Sequence, residues 1–118
     1  MKNKYKLTDE TIRFTGITLY RIESLKDFSD IKKGDKGGFI ESENNLSHNG
    51  NCWIYDDAKV CDEAKVYGNA EVYDKVEIFD EAKVYDYAKV YGSAVIYGFA
   101  KVYEKAQISG NAKVSKGS

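Results

Sequence analysis

Proline is absent from all 118 residues, and histidine and tryptophan occur once each. Without proline, no position carries a fixed φ or a missing N–H donor that would interrupt a ladder of strands. No run approaches the ~18 apolar residues of a membrane span. The polar start MKNKYKLTDE lacks the apolar stretch of a signal peptide, so a soluble cytoplasmic protein is the expectation. Neither sign of charge prevails: 18 Lys and Arg against 19 Asp and Glu leave a net charge of -1. No global excess therefore points to nucleic acid or to a membrane. The two cysteines, Cys52 and Cys61, form no metal-binding or redox spacing. No glycine-rich phosphate loop, metal-ligand cluster or nucleophile motif is visible, and neither a cofactor nor a metal is expected.

What the chain has instead is tyrosine, ten times, and a repeat. From Cys52 to Gly117 it divides without insertion into hexads of the form Ala-x-Val-Tyr-x-x. The third position runs Ile54, Val60, Val66, Val72, Ile78, Val84, Val90, Ile96, Val102, Ile108, Val114, all β-branched. The first is alanine except at Cys52 and Val76, and Gly, Asp, Asn, Lys or Glu crowd the last two.

A helix advances about 100° per residue, so a six-residue repeat makes no fixed apolar stripe on it. Antiparallel hairpins with two-residue turns would put Tyr67 and Ala70 on one face, and every second strand would bury Lys and Tyr. A parallel solenoid meets no such conflict. Positions one and three point inward, and positions two and four outward.

The unit V-Y-G-N-A resembles the hexapeptide repeat of left-handed parallel β-helices. The leader segments LYRIESLKDF and GDKGGFIESENNLS resemble those that precede such repeats in uncharacterised bacterial and phage proteins. The resemblance implies a triangular section, left-handed winding and three hexads per coil. Its inward columns would be Ile54-Val72-Val90-Ile108, Val60-Ile78-Ile96-Val114 and Val66-Val84-Val102. Burying each Val or Ile contributes roughly 1.5–3 kcal/mol before entropy is counted.

The expected organisation is a β-rich N-terminal cap over residues 1–50 and a solenoid over 51–118. TIRFTGITLYRI reads as two short strands around Thr15-Gly16, and KKGDKGGF as a turn-rich connection. Ser24 and Asp27 suggest a short helical turn. Ile40 and Leu46 keep the six-residue spacing but lie two residues off the Ile54 register, as an irregular opening coil would. AKVSKGS offers no visible cap. Cys52 falls inward and Cys61 outward, so a disulfide is not expected.

The outward columns carry the functional expectations. One face stacks Lys65, Lys83 and Lys101 beside Tyr67, Tyr85 and Tyr103. This is either an ordinary solvent-side wall or a strip that grips an anion or nucleic acid. A second face gathers Phe79, Val95, Tyr97 and Phe99, a candidate homo-oligomer or partner patch. Asp62, Glu63, Asp80 and Glu81 share a corner, read as a solvated acidic edge with a hard cation as the alternative. From Asn51 to Asp86 there are ten acids and four lysines, and afterwards one acid and five lysines. This asymmetry is compatible with head-to-tail association.

Many hexapeptide proteins are trimeric acyltransferases in which a histidine acts as base toward the acceptor. The resemblance makes His48, which lies off the regular array, the single catalytic candidate. Three functions stay open. The first is a non-catalytic solenoid presenting a rigid surface to a protein partner or to itself, such as a phage-associated inhibitor or structural accessory. The others are a hexapeptide-type acyltransferase and an anion or nucleic-acid binder.

Overall fold

The computed structural model describes residues 3–117. Two longer strands, β1 (Tyr5–Phe14) and β2 (Ile17–Ser24), form an antiparallel hairpin. Its turn is Thr15-Gly16, both residues at positive φ, 50° and 83°. That pair of conformations is what a two-residue hairpin turn between right-twisted strands requires. Next comes β3 (Lys36–Ile40), then the two-residue strands of the repeat. These are β4 (Trp53–Ile54), β5 (Lys59–Val60), β6 (Lys65–Val66), β7 (Glu71–Val72), β8 (Glu77–Ile78), β9 (Lys83–Val84) and β10 (Lys89–Val90). The last four are β11 (Val95–Gly98), β12 (Lys101–Val102), β13 (Gln107–Ile108) and β14 (Lys113–Lys116).

Every strand pair within the repeat is parallel. Lys59 pairs with Glu77, Glu71 with Lys89 and Lys83 with Lys101, so each strand meets the third strand after it. Three walls result. The first runs β1-β2-β3-β5-β8-β11-β14, the second β4-β7-β10-β13 and the third β6-β9-β12. The fold is a parallel β-solenoid, as the hexad pattern predicts.

The core is the inward set. Ile54, Val60, Val66, Val72, Ile78, Val84, Val90 and Ile96 have no exposed surface, and neither do the alanines between them up to Ala94. Ile108 and Val114 in the final coil are only partly buried. The Lys and Tyr columns remain outside.

The corners explain the fifth hexad position. Asp56, Asp62, Asp74, Asp80, Asp86 and Glu104 all have φ between 56° and 60°, and Gly68, Gly92, Gly98 and Gly110 share that left-handed conformation. Aspartate tolerates it better than most residues with a Cβ. It also adds a bond along the axis. The Asp62 carboxylate accepts from Asp80 N at 3.0 Å, and the Asp80 carboxylate from Gly98 N at 2.9 Å. Asp56, Asp74 and Asp86 do the same for the coil that follows each of them.

The opening coil carries the two-residue offset. Ile40 pairs with Val60 and Leu46 with Val66, two residues more than the 18 that separate equivalent corners later. The surplus lies between Leu46 and Ile54. Two details of the leader differ from expectation. Ser24 ends β2 with its hydroxyl bonded to Lys26 O, and no helical turn forms there. The one helical turn among the described residues is Glu43–Asn45, capped by Ser42. KKGDKGGF is not all turn either, because its second half is β3. A Cβ on Gly37 would stand 2.6 Å from Ile54 O, and one on Gly38 2.5 Å from Ala58 O. Glycine here marks close backbone approach within a strand.

Candidate functional site

The hairpin folds back over the outer side of the first wall. Leu19 and Phe39 close over Cys61, and Ile12, Phe14, Ile17 and Phe79 pack around them. Cys61 points outward as expected but is 1% exposed. Its burial pushes the thiol up to about 12, with Asp62 adding to the rise. Cys52 is inward, and both cysteines are free thiols. Arg21 pins the hairpin. It binds Glu10 at 2.8 Å and Asp57 at 2.9 Å, donates to Gly37 O and Asp56 O, and lies over the Phe39 ring.

Of the patch expected on this wall, Phe79 is half-covered by the hairpin and stacks on Tyr97 at 5.6 Å. Val95 is half-buried, and Phe99 is exposed on the corner beyond. The structure stacks Phe79 on Tyr97, and of the four residues Phe99 is the most exposed, at 40%.

His48 sits in the cap that closes the second wall. Its ring stacks on Tyr5 at 4.1 Å, its Nδ1 accepts from Lys4 N at 3.1 Å, and its Nε2 meets Glu43 at 2.6 Å. Both ring nitrogens are therefore occupied within the chain. Lys4, which sequence reasoning passed over, has no exposed surface. Its ammonium donates to Gly50 O, Cys52 O and Cys52 Sγ. The acceptors are carbonyls and a thiol and no carboxylate, and burial lowers the Lys4 pKa and raises that of Cys52. Nothing in the six-residue period signals this contact. Its partners lie 44 to 48 residues away along the chain.

The third wall is bare. Lys65, Lys83 and Lys101 are in register, and Tyr67, Tyr85 and Tyr103 stack beside them with centroids 4.8 and 5.5 Å apart and interplanar angles of 3° and 13°. Tyr103 is 45% exposed, and Tyr87 on the adjoining corner 61%. Burial raises the Tyr67 pKa, with Tyr85 and Asp86 contributing. The acidic corner borders this wall, and Asp62, Glu63, Asp80, Glu81, Gly98 and Phe99 line a hollow of about 320 Å³. Its two aspartates already accept backbone N–H groups, and no cluster with metal-holding geometry occurs among the described residues. None of the described helices is long and apolar enough to cross a membrane.

Parallel two-residue strands, a β-branched interior and a corner residue at positive φ every sixth position make the chain a parallel β-solenoid of about 4 turns. No family model matches it. Among curated proteins it is similar to the uncharacterized acetyltransferase YdcK of Escherichia coli (strain K12). The two are 35% identical over 65 residues, which cover 48% of this chain and 20% of that protein. The chain thus spans about a fifth of the length of the curated relative it matches.

Proposed function

We propose that the chain is a non-catalytic solenoid that presents a rigid outer wall to another protein. The observation that carries this reading is the state of its only histidine. A general base needs a free nitrogen facing the acceptor's proton, and both His48 nitrogens are engaged inside the cap. The wall itself is suited to presentation. Short strands stacked on a β-branched core hold outward side chains in fixed columns, without side-chain entropy being lost on a mobile loop. The left-handed winding, a cytoplasmic setting, a phage-associated role and self-association through Phe79, Val95, Tyr97 and Phe99 belong to the same proposal.

Acyl transfer is the second reading, favoured by the similarity to an acetyltransferase. One titration separates the two. The scaffold reading expects no binding or turnover of acetyl-coenzyme A by the native chain. Turnover that disappears in His48→Gln would overturn it.

A further inference from the structure

The second wall shows what the Lys and Tyr columns of this solenoid do when carboxylates are near. There Tyr55 and Tyr73 stack at 4.4 Å, as the third-wall tyrosines do. The Tyr55 hydroxyl bonds to Asp30 at 2.9 Å and also reaches Glu71, the Tyr73 hydroxyl bonds to Glu71, and Lys89 lies 3.8 Å from Glu71. The chain supplies its own acids to that strip. On the third wall acids flank the strip at its corners, but no carboxylate among the described residues is bonded to its lysines or tyrosine hydroxyls. The ion pairs among the described residues involve Arg21, His48 and Lys89, so Lys65, Lys83 and Lys101 form none. Among the described residues the hydroxyls of Tyr67, Tyr85 and Tyr103 likewise make no side-chain hydrogen bond. Three cations in register, one coil or ~4.8 Å apart, repel one another until an anion relieves them.

From this contrast we infer that the third wall docks an acidic, extended segment of a partner protein, whose carboxylates take the place that Asp30 and Glu71 hold on the second wall. The inference rests on the scaffold reading above and names the class of partner. An extended peptide presents same-side side chains every ~6.8 Å, so two or three alternate acids fall within reach of ammonium groups on flexible four-carbon stems. The strip is one lysine wide, and Glu63 and Glu81 flank it on the corner before these strands. That width suits a single chain. Nucleic acid fits less well, because a base needs an open aromatic face. Here stacking covers both faces of Tyr85 and one face each of Tyr67 and Tyr103, so the strip offers mainly edges and hydroxyls.

Amide chemical shifts of the native chain, titrated with a synthetic peptide of alternating Glu and Ser, test the idea. A Gln/Ser peptide and a single-stranded DNA oligonucleotide serve as competing probes. The expected result is shifts confined to Lys65–Tyr67, Lys83–Tyr85 and Lys101–Tyr103 with the Glu peptide alone. The affinity should fall with added salt and drop roughly tenfold or more in Lys83→Glu, while Lys83→Arg retains it. Lys83→Glu should fold, since glutamate occupies the same outward hexad position at Glu71 and Glu77. Tighter binding of the oligonucleotide, equal binding of the Gln peptide, no shift with any probe, or a native dimer that Lys83→Glu dissociates would each overturn the inference. If acetyl-coenzyme A is inert and the Glu peptide does not bind, this inference alone fails. Acetyl-coenzyme A turnover removes the scaffold reading as well.

Discussion

Replacing Asp80 separates the two roles its corner gives it. The residue sits at φ 60°, and its carboxylate accepts Gly98 N at 2.9 Å. Alanine loses both advantages. A non-glycine residue without a local polar group costs about 1–2 kcal/mol in the left-handed region. An exposed charge-assisted bond to a backbone N–H adds about 1 kcal/mol, because water partly replaces it. Asp80→Ala should therefore destabilise by about 2 kcal/mol. With an unfolding entropy near 2.1 cal/mol/K per residue, that lowers Tm by roughly 8 °C. Asp80→Gly avoids the strain, loses the bond and adds freedom to the unfolded chain, so about 1 kcal/mol is expected. Asp80→Asn keeps an acceptor and tolerates the conformation, so it should cost about 0.5 kcal/mol or less. Urea titrations of the four proteins give the ranking. If alanine and glycine are equally costly, the strain argument is wrong. If asparagine is as costly as alanine, the carboxylate bond to the next coil is not what selects aspartate here.

Gly38→Ala would drive a Cβ to 2.5 Å from both Ala58 O and Ile54 Cγ2, and should cost about 3 kcal/mol or prevent folding, read as the urea midpoint. Gly16→Ala has open space but φ 83°, so about 1 kcal/mol is expected. Ile78→Ala removes a fully buried side chain from the middle of its column and should cost about 3 kcal/mol in the same assay. Cys61 makes stability pH-dependent. Its folded pKa, raised from 9.0 to about 12, exceeds that of the unfolded thiol. Its contribution is thus complete below pH 9.0 and is lost as pH climbs toward 12. Cys61→Ala should flatten that alkaline decline by up to about 1.4 kcal/mol per pH unit. A thiol reagent at neutral pH should leave both cysteines unmodified until the chain unfolds.

The hexad pattern made the inward and outward positions legible because a strand alternates sides every residue, and parallel stacking of whole hexads buries every Val and Ile at once. The register of Lys65, Lys83 and Lys101 needs three hexads per coil, which the resemblance implied and the strand pairing shows, whereas the offset at Ile40 and Leu46 is visible in the spacing itself. Local chemistry was legible less completely. The recurrence of Asp and Gly at the fifth position pointed to turns, while the bond from each aspartate to the next coil shows only when the coils are stacked. Glycine at 37 and 38 looked like a turn, because sequence alone does not distinguish a need for positive φ from a lack of room for a Cβ.

Periodicity thus determined the solenoid, the composition of its core and which residues face outward, since these depend on contacts repeated at a constant interval. Tertiary structure alone decided which columns stay open. The hairpin covers Cys61 and part of Phe79, Lys4 and Tyr5 seal the second wall around His48, and Asp30 reaches Tyr55, each through contacts between distant segments. Such contacts occur once, carry no period, and are chosen by which non-repeating surface packs best against the array.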